Sequence, residues 1–201
     1  GAEAQGWEVA ESRHFLYDGW NMIVETIQNQ QSQITNHYVW GLDLSGSLQG
    51  AGGVGGLLAV VQNGETYRPA FDGNGNVTEY LSTDGSIIAR YEYFPFGETV
   101  VQSGTIPDTF AFRFSTKYCE DEAKLYYYGY RFYHTGTGRW LNRDPIGERG
   151  GANVVAFILN RPVHSYDILG LVTPWLSVSP RIDMGNCGEF SWEGTFSLNA
   201  Q

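Results

Sequence analysis

Positive charge is scarce in this chain: twelve Lys and Arg face twenty-two Asp and Glu, leaving 201 residues at a formal net charge of −10. Nucleic-acid binding relies on clustered cations that displace counterions from phosphates, and the absence of any such cluster argues against a nucleic-acid partner. Cysteine is also scarce. Cys119 and Cys187 have no CxxC context, two thiols cannot build a four-cysteine zinc site, and free thiols are expected. No apolar run reaches the length of a membrane span, and GAEAQGWEVAESRHF at the amino end has neither the basic start nor the apolar core of a signal peptide. The chain starts with Gly rather than Met and reads as a segment of a longer polypeptide, with any export signal expected outside it.

Familiar catalytic and cofactor patterns are missing as well. His14, His37, His134 and His164 are scattered, without the i, i+4 spacing or carboxylate company of a metal site, and read as surface or turn residues. No Ser or Cys lies in a nucleophile motif. GAGGVGG (50–56) contains a formal G-x-G-x-x-G through Gly50, Gly52 and Gly55, but LLAVVQNGETYRP follows it and reads as a strand ending in an Asn-Gly turn. Without a helix N-terminus to hold a pyrophosphate, no nucleotide site is expected, and neither a cofactor nor a metal ligand set is assigned.

What the chain does have is glycine and aromatic rings: 26 glycines and an aromatic content of 15%, including thirteen tyrosines. That pairing suits short strands joined by tight turns, and the length allows one sizeable domain with a real core. RHFLYDGWNMIVETIQN (13–29) and YRPAFDGNGNVTEYLSTDGSIIARYEYF (67–94) read as alternating strands punctuated by Asp-Gly and Asn-Gly, the hairpin signal. Val77, Tyr80, Ile87, Ile88, Tyr91 and Tyr93 are expected to offer the apolar surface of this sheet. Such a sheet needs neighbouring repeats to cover its edges. GANVVAFILNRP (151–162) fits either a buried strand or a helical turn and is expected to be buried.

Two aspartates stand out in the second half, in GRWLNRDPIGERGG (138–151) and NRPVHSYDILGL (160–171). Asp144 and Asp167 each open an Asp-x-x-Gly segment. Two readings stay open at this point. Asp-x-x-Gly is ordinary turn chemistry, with the carboxylate accepting backbone N–H bonds and Gly supplying positive φ. Two carboxylates brought together away from water can instead share a proton, one acting as base on a water and the other as acid, which makes a peptidase.

From Tyr67 to Leu171 the chain resembles the core region of the Rhs-repeat, or YD-repeat, family of polymorphic toxins, whose relatives include the C subunits of the insecticidal Tc toxins. The matching text is FDGNGNVTEYLSTDGSIIARYEYFPFGET (71–99), FRFSTKYCEDEAKLYYYGYRFYHTGTGRWLNRDPIGERGG (112–151) and N-x-P-V-x-x-x-D-x-x-G-L (160–171), and VWGLDLSGSLQGAGGVGGLL (39–58) is similar to the segment that precedes that core. The resemblance implies an all-β fold in which tyrosine- and glycine-rich YD-repeat hairpins form part of a spiral β-shell, closed by a short irregular or helical C-terminal plug. It implies three regions: a partial shell segment with a Gly-rich connection (1–66), the core with the aspartate turns (67–171), and the start of a variable cargo (172–201), expected to be either truncated or a short peptide, because thirty residues are too few for an independent toxin domain.

The resemblance further implies autoproteolysis. The cut falls between Leu171 and Val172, with Asp144 and Asp167 as the carboxylate pair and Arg131 of the Tyr-Arg-x-Tyr segment holding a carboxylate ionised or orienting the scissile carbonyl. The chain would then be an intramolecular, single-turnover aspartyl-type peptidase. Its implied partners are its own C-terminal cargo, components of a secretion system or toxin complex, and an immunity protein; its implied location is secreted or on a bacterial cell surface. Three departures from the family pattern carry expectations of their own. Ile168 replaces a turn proline and should loosen the second turn; Arg161 replaces an Asn and should bring positive charge to the site; His134 replaces an Asp or Asn and should lose the usual turn bond. The rival reading is a non-cleaving structural or adhesive cell-surface YD-repeat protein, with carbohydrate binding by exposed aromatics as a further option.

Overall fold

Asn63 and Gly64 show how local chemistry sets the architecture. Both adopt positive φ, 51° and 81°, and they join two strands through the two-residue turn whose twist matches that of a hairpin. Repeating this kind of connection yields a meander. The structure, a computed structural model, describes residues 11–163 and 165–171. Strands account for 43% of the described residues and helical turns for 8%, so the expected all-β class holds.

The first sheet has eight antiparallel strands in sequence order: β1 (Glu11–Asp18), β2 (Asn21–Asn29), β3 (Gln33–Trp40), β4 (Leu57–Gln62), β5 (Glu65–Phe71), β6 (Val77–Leu81), β7 (Ile87–Tyr93) and β8 (Thr99–Gly104). It runs unbroken across residues 66 and 67, where Val60 pairs with Tyr67. Side chains of alternate residues point to one face, so Ala89 and Tyr91 are buried while Arg90 and Glu92 are exposed. The buried face gathers Met22, Tyr38, Leu57, Val60, Val77, Tyr80 and Tyr91 around Phe110 and Phe112 from the segment that crosses it, with Tyr80 and Phe110 stacked at 3.9 Å. Ile87 departs from the expected core. It lies at the turn end of β7, where a bulge between Tyr80 and Leu81 shifts the register, and is exposed; Ile88 packs against the core instead.

A second sheet follows, with β9 (Tyr118–Glu120), β10 (Leu125–Tyr127), β11 (Phe132–His134) and β12 (Arg139–Trp140) also in sequence order. Its core is a cage of rings: Phe114, Tyr126, Tyr128, Tyr133 and Trp140 surround Phe157, which stacks on Tyr133 at 3.9 Å. The run 151–162 is neither a strand nor a helix. Trp140 donates its backbone N–H to the Val155 carbonyl, Ala156 bridges Arg139, and one 3₁₀ turn follows at Ile158–Asn160. Within it Ala156, Phe157 and Ile158 are buried, but Ala152, Asn153, Leu159 and Asn160 are exposed, because only the Phe157 side of the loop faces the ring cage. His134 keeps a turn bond after all, since its Nδ1 accepts the Thr137 N–H at 3.1 Å. An imidazole nitrogen replaces the carboxylate or amide oxygen as acceptor.

Candidate active site

Asp144 follows β12, and its own N–H donates to the Val154 carbonyl at 2.9 Å, which pins the start of the first turn to the returning loop. Its Oδ1 accepts the Ile146 N–H at 3.0 Å, and the Gly147 N–H closes the turn on the Asp144 carbonyl with Gly147 at φ 65°. Asp167 works the same way with more donors. Its Oδ1 accepts the N–H groups of Leu169, Gly170 and Leu171 at 3.2, 2.7 and 2.9 Å. The turn reading is therefore true of both residues, and in each it occupies one carboxylate oxygen.

The other oxygens meet at one cation. Arg131 Nη2 lies 3.0 Å from Asp144 Oδ2 and 3.7 Å from Asp167 Oδ2, with all three side chains almost fully buried. The contacts are ion pairs rather than aligned hydrogen bonds: Nη2 and Asp167 Oδ2 are buried without a hydrogen-bond partner. Elsewhere the guanidinium is fully engaged, because Nε donates to the Gly170 carbonyl, Nη1 to the Val154 carbonyl at 3.2 Å, and Cζ stacks 4.2 Å from the Trp140 ring centre. One side chain thus joins both aspartate turns. Burial pushes the Arg131 pKa down against the opposing pull of Asp144 and Asp167. Burial also pushes the Asp167 carboxyl up, although three groups oppose it: the backbone N–H bonds, Arg131 and Lys117.

The structure brings Asp144, Asp167, Arg131 and Leu171 together. Leu171 is half-buried and tethered through its N–H to Asp167, and Val172, the other side of the expected cut, lies outside the described residues. His164 and Cys187 also lie outside them. Cys119 is buried and free, its thiol pushed up to about 11 by burial. Two of the expected departures are corrected. Ile168 does not leave the second turn loose, because three N–H bonds and a lysine hold it. Arg161 is exposed; the positive charges acting on Asp167 come from Arg131 and Lys117.

Lys117 and the Gly-rich loop are the parts that sequence reasoning missed. Lys117 is buried, and its Nζ donates to the Gly52 carbonyl at 2.6 Å and the Ile168 carbonyl at 2.9 Å, 5.2 Å from the Tyr128 ring centre. Burial lowers its pKa to about 8. The only signal was a lysine inside an aromatic stretch that also holds Arg113. The loop at 50–56 binds no helix N-terminus; instead buried Asp43 gathers it, with Oδ2 accepting the N–H groups of Ala51 and Gly53 at 2.7 and 3.1 Å. Gly52 then lies so close to the second aspartate turn that a Cβ there would come 2.0 Å from the Ile168 oxygen.

A family profile described as Teneurin YD-shell matches residues 7–150, which takes in Arg131 and Asp144 and stops short of Asp167. Toxin subunit YenC2 of Yersinia entomophaga is 33% identical over 120 residues, covering 58% of this chain and 12% of that protein. Toxin protein Tse5 of Pseudomonas aeruginosa is 41% identical over 85 residues, covering 42% of this chain and 6% of that protein. Among solved structures, the crystal structure of TcdB2-TccC3 is similar with a TM-score of 0.64 at 25% identity, over 84% of this chain and 8% of that one. The chain therefore spans a small fraction of the length of each of these three proteins.

Proposed function

The chain belongs to the Teneurin YD-shell family, and on that premise we propose that it is the closing end of a toxin-encapsulating shell that cuts its own backbone between Leu171 and Val172. One observation carries the proposal. The carboxylate oxygens that the two turns leave free face a single buried guanidinium, and that guanidinium also holds the Gly170 carbonyl, one peptide before the proposed scissile bond. Two structural turns would not need to converge on one cation.

The division of labour follows from the environments. Asp167, whose carboxyl burial pushes up, is the proton carrier and general acid. Asp144, paired with Arg131, is the general base. As a water oxygen bonds to the Leu171 carbonyl carbon, Asp144 takes one of its protons. Asp167 passes its own proton to the Val172 nitrogen as the C–N bond breaks, leaving a Leu171 carboxyl and a Val172 amine. Held beside its own carboxylates, the peptide has a high effective concentration, so no pocket for outside substrates is required. The reaction turns over once.

In this account the partners are the chain's own segment from Val172 onward, retained inside the shell, together with toxin-complex or secretion components and an immunity protein. The neighbouring structures are themselves toxin complexes with other subunits, and the relatives YenC2 and Tse5 are named as toxin proteins, which supports secretion. A non-cleaving adhesive or structural role is the second reading, favoured by the turn bonds that occupy Oδ1 of both aspartates. Asp144→Asn and Asp167→Asn separate the two, because each keeps a turn acceptor but removes the titrating carboxylate. The proposed function requires a folded, uncut chain from each variant and a cut parental chain. Cutting of either variant at the parental rate contradicts it.

A further inference from the structure

Lys117 has no part in the mechanism above, yet its ammonium is buried. An ammonium taken out of water is costly unless its donors and its charge are answered. Two of its donors are answered by main-chain carbonyls from segments far apart in sequence, Gly52 in the Gly-rich loop and Ile168 inside the second aspartate turn. The face of the Tyr128 ring covers it, and its charge is answered by Asp167 and Asp43. None of these contacts is an aligned bond to a carboxylate. A buried lysine without such a bond is an expensive way to fill space, and an apolar side chain would pack there at lower cost.

We propose that Lys117 is a positioning residue of the cleavage site, which clamps the second aspartate turn to the Gly-rich loop and supplies Asp167 with a second positive charge beside that of Arg131. This rests on the self-cleavage reading. The clamp is geometric: the Ile168 carbonyl it holds belongs to the turn that Asp167 opens, so the ammonium fixes the chain direction on which Leu171 and the scissile bond depend. The charge acts on proton transfer. Arg131, through Nη2, faces both aspartates, whereas the carboxylates that act on Lys117 are those of Asp167 and Asp43. Loss of its charge should leave the general acid holding its proton too tightly to deliver it. The other titratable groups around this cluster are Asp144 across Arg131, Asp43 beneath Lys117, and the Tyr128 and Tyr166 phenols, whose pKa values burial raises.

The test reads Asp167 directly and does not depend on cutting. In the full gene product carrying Asp144→Asn, the carbon-13 titration of the Asp167 carboxyl is recorded with Lys117 present and with Lys117→Met. The midpoint should rise by about one pH unit when the ammonium is lost, as expected for removal of a nearby opposite charge. An unmoved midpoint overturns the charge role. Should Lys117→Met fail to fold, the reciprocal measurement uses native Lys117: its nitrogen-15 titration should move to lower pH in Asp167→Asn, and an unchanged value overturns the proposal equally. Cutting is then followed by pulse-chase after cell-free translation of chains with native aspartates. Lys117→Met should be slowed at least about tenfold and Lys117→Arg should recover part of the rate, an effect of order 1.4 kcal/mol on the barrier. Parental-rate cutting by a folded Lys117→Met overturns the positioning role. A parental chain that never cuts would contradict the self-cleavage reading, while the titrations would still decide whether Lys117 charges Asp167.

Discussion

Gly52 and Ile168 approach so closely that a Cβ on the glycine would lie 2.0 Å from the isoleucine carbonyl oxygen, so the Gly-rich loop serves as the floor on which the second aspartate turn rests. Gly52 also has φ +63°, a region where L side chains are strained.

Gly52→Ala should therefore displace the turn that carries Asp167 and Leu171. Gly64 provides the control, with a positive φ of +81° but nothing within 4 Å of the place a methyl group would occupy. Gly64→Ala should cost about 1 kcal/mol, the backbone strain alone. Gly52→Ala should cost at least twice that in chemical denaturation and should also slow cutting, which Gly64→Ala should not. Equal losses for the two variants would remove the loop from the account.

Arg131 is expected to resist conservative replacement. A lysine has one nitrogen, and it cannot at once reach the Gly170 and Val154 carbonyls, face both carboxylates and stack on Trp140 as the guanidinium does. Arg131→Lys should abolish cutting and lower the melting temperature. Arg131→Met, which takes from the buried Asp144 its ion-pair partner, should cost about 3 to 5 kcal/mol. Cutting by Arg131→Lys at the parental rate would show that charge alone suffices.

The pH dependence of stability should carry the signature of Lys117. Its pKa falls from an ordinary 10.5 to about 8 on folding, so between these values the unfolded chain binds more protons than the folded one. Unfolding free energy attributable to Lys117 must then rise with pH across that window, and the cost of burying the ammonium is fully present below about 8. The difference between parental and Lys117→Met proteins in urea titrations isolates this contribution. Its absence above about pH 8 would mean that the ammonium is better solvated than the structure implies.

Much of this arrangement was legible in the sequence because it rests on local rules. Asn63-Gly64 dictates a hairpin, the alternation through Ala89, Arg90, Tyr91 and Glu92 dictates a half-buried strand, and Asp144 and Asp167 open their turns as Asp-x-x-Gly predicts. Arg131, Asp144 and Asp167 were drawn together only through family resemblance, since spacing alone left the turn reading open. What stayed hidden depends on long-range placement. A bulge puts Ile87 outside, Asp43 folds the glycines under the second turn, and Lys117 reaches from the ring cage to Ile168. No local pattern encodes these contacts.

Self-processing also fixes the kinetics. The cleavage rate should be independent of protein concentration, and an Asp144→Asn chain mixed with active protein should stay intact. Both are read by gel densitometry over time. Cleavage of the mutant in trans, or a rate that climbs with concentration, would mean a diffusible protease.

The most direct measurement is the intact mass of the purified full gene product, dissociated under denaturing conditions. The account predicts two species in equal amounts, one ending at Leu171 and one beginning at Val172. A single uncut mass, or a junction at any other bond, would contradict it.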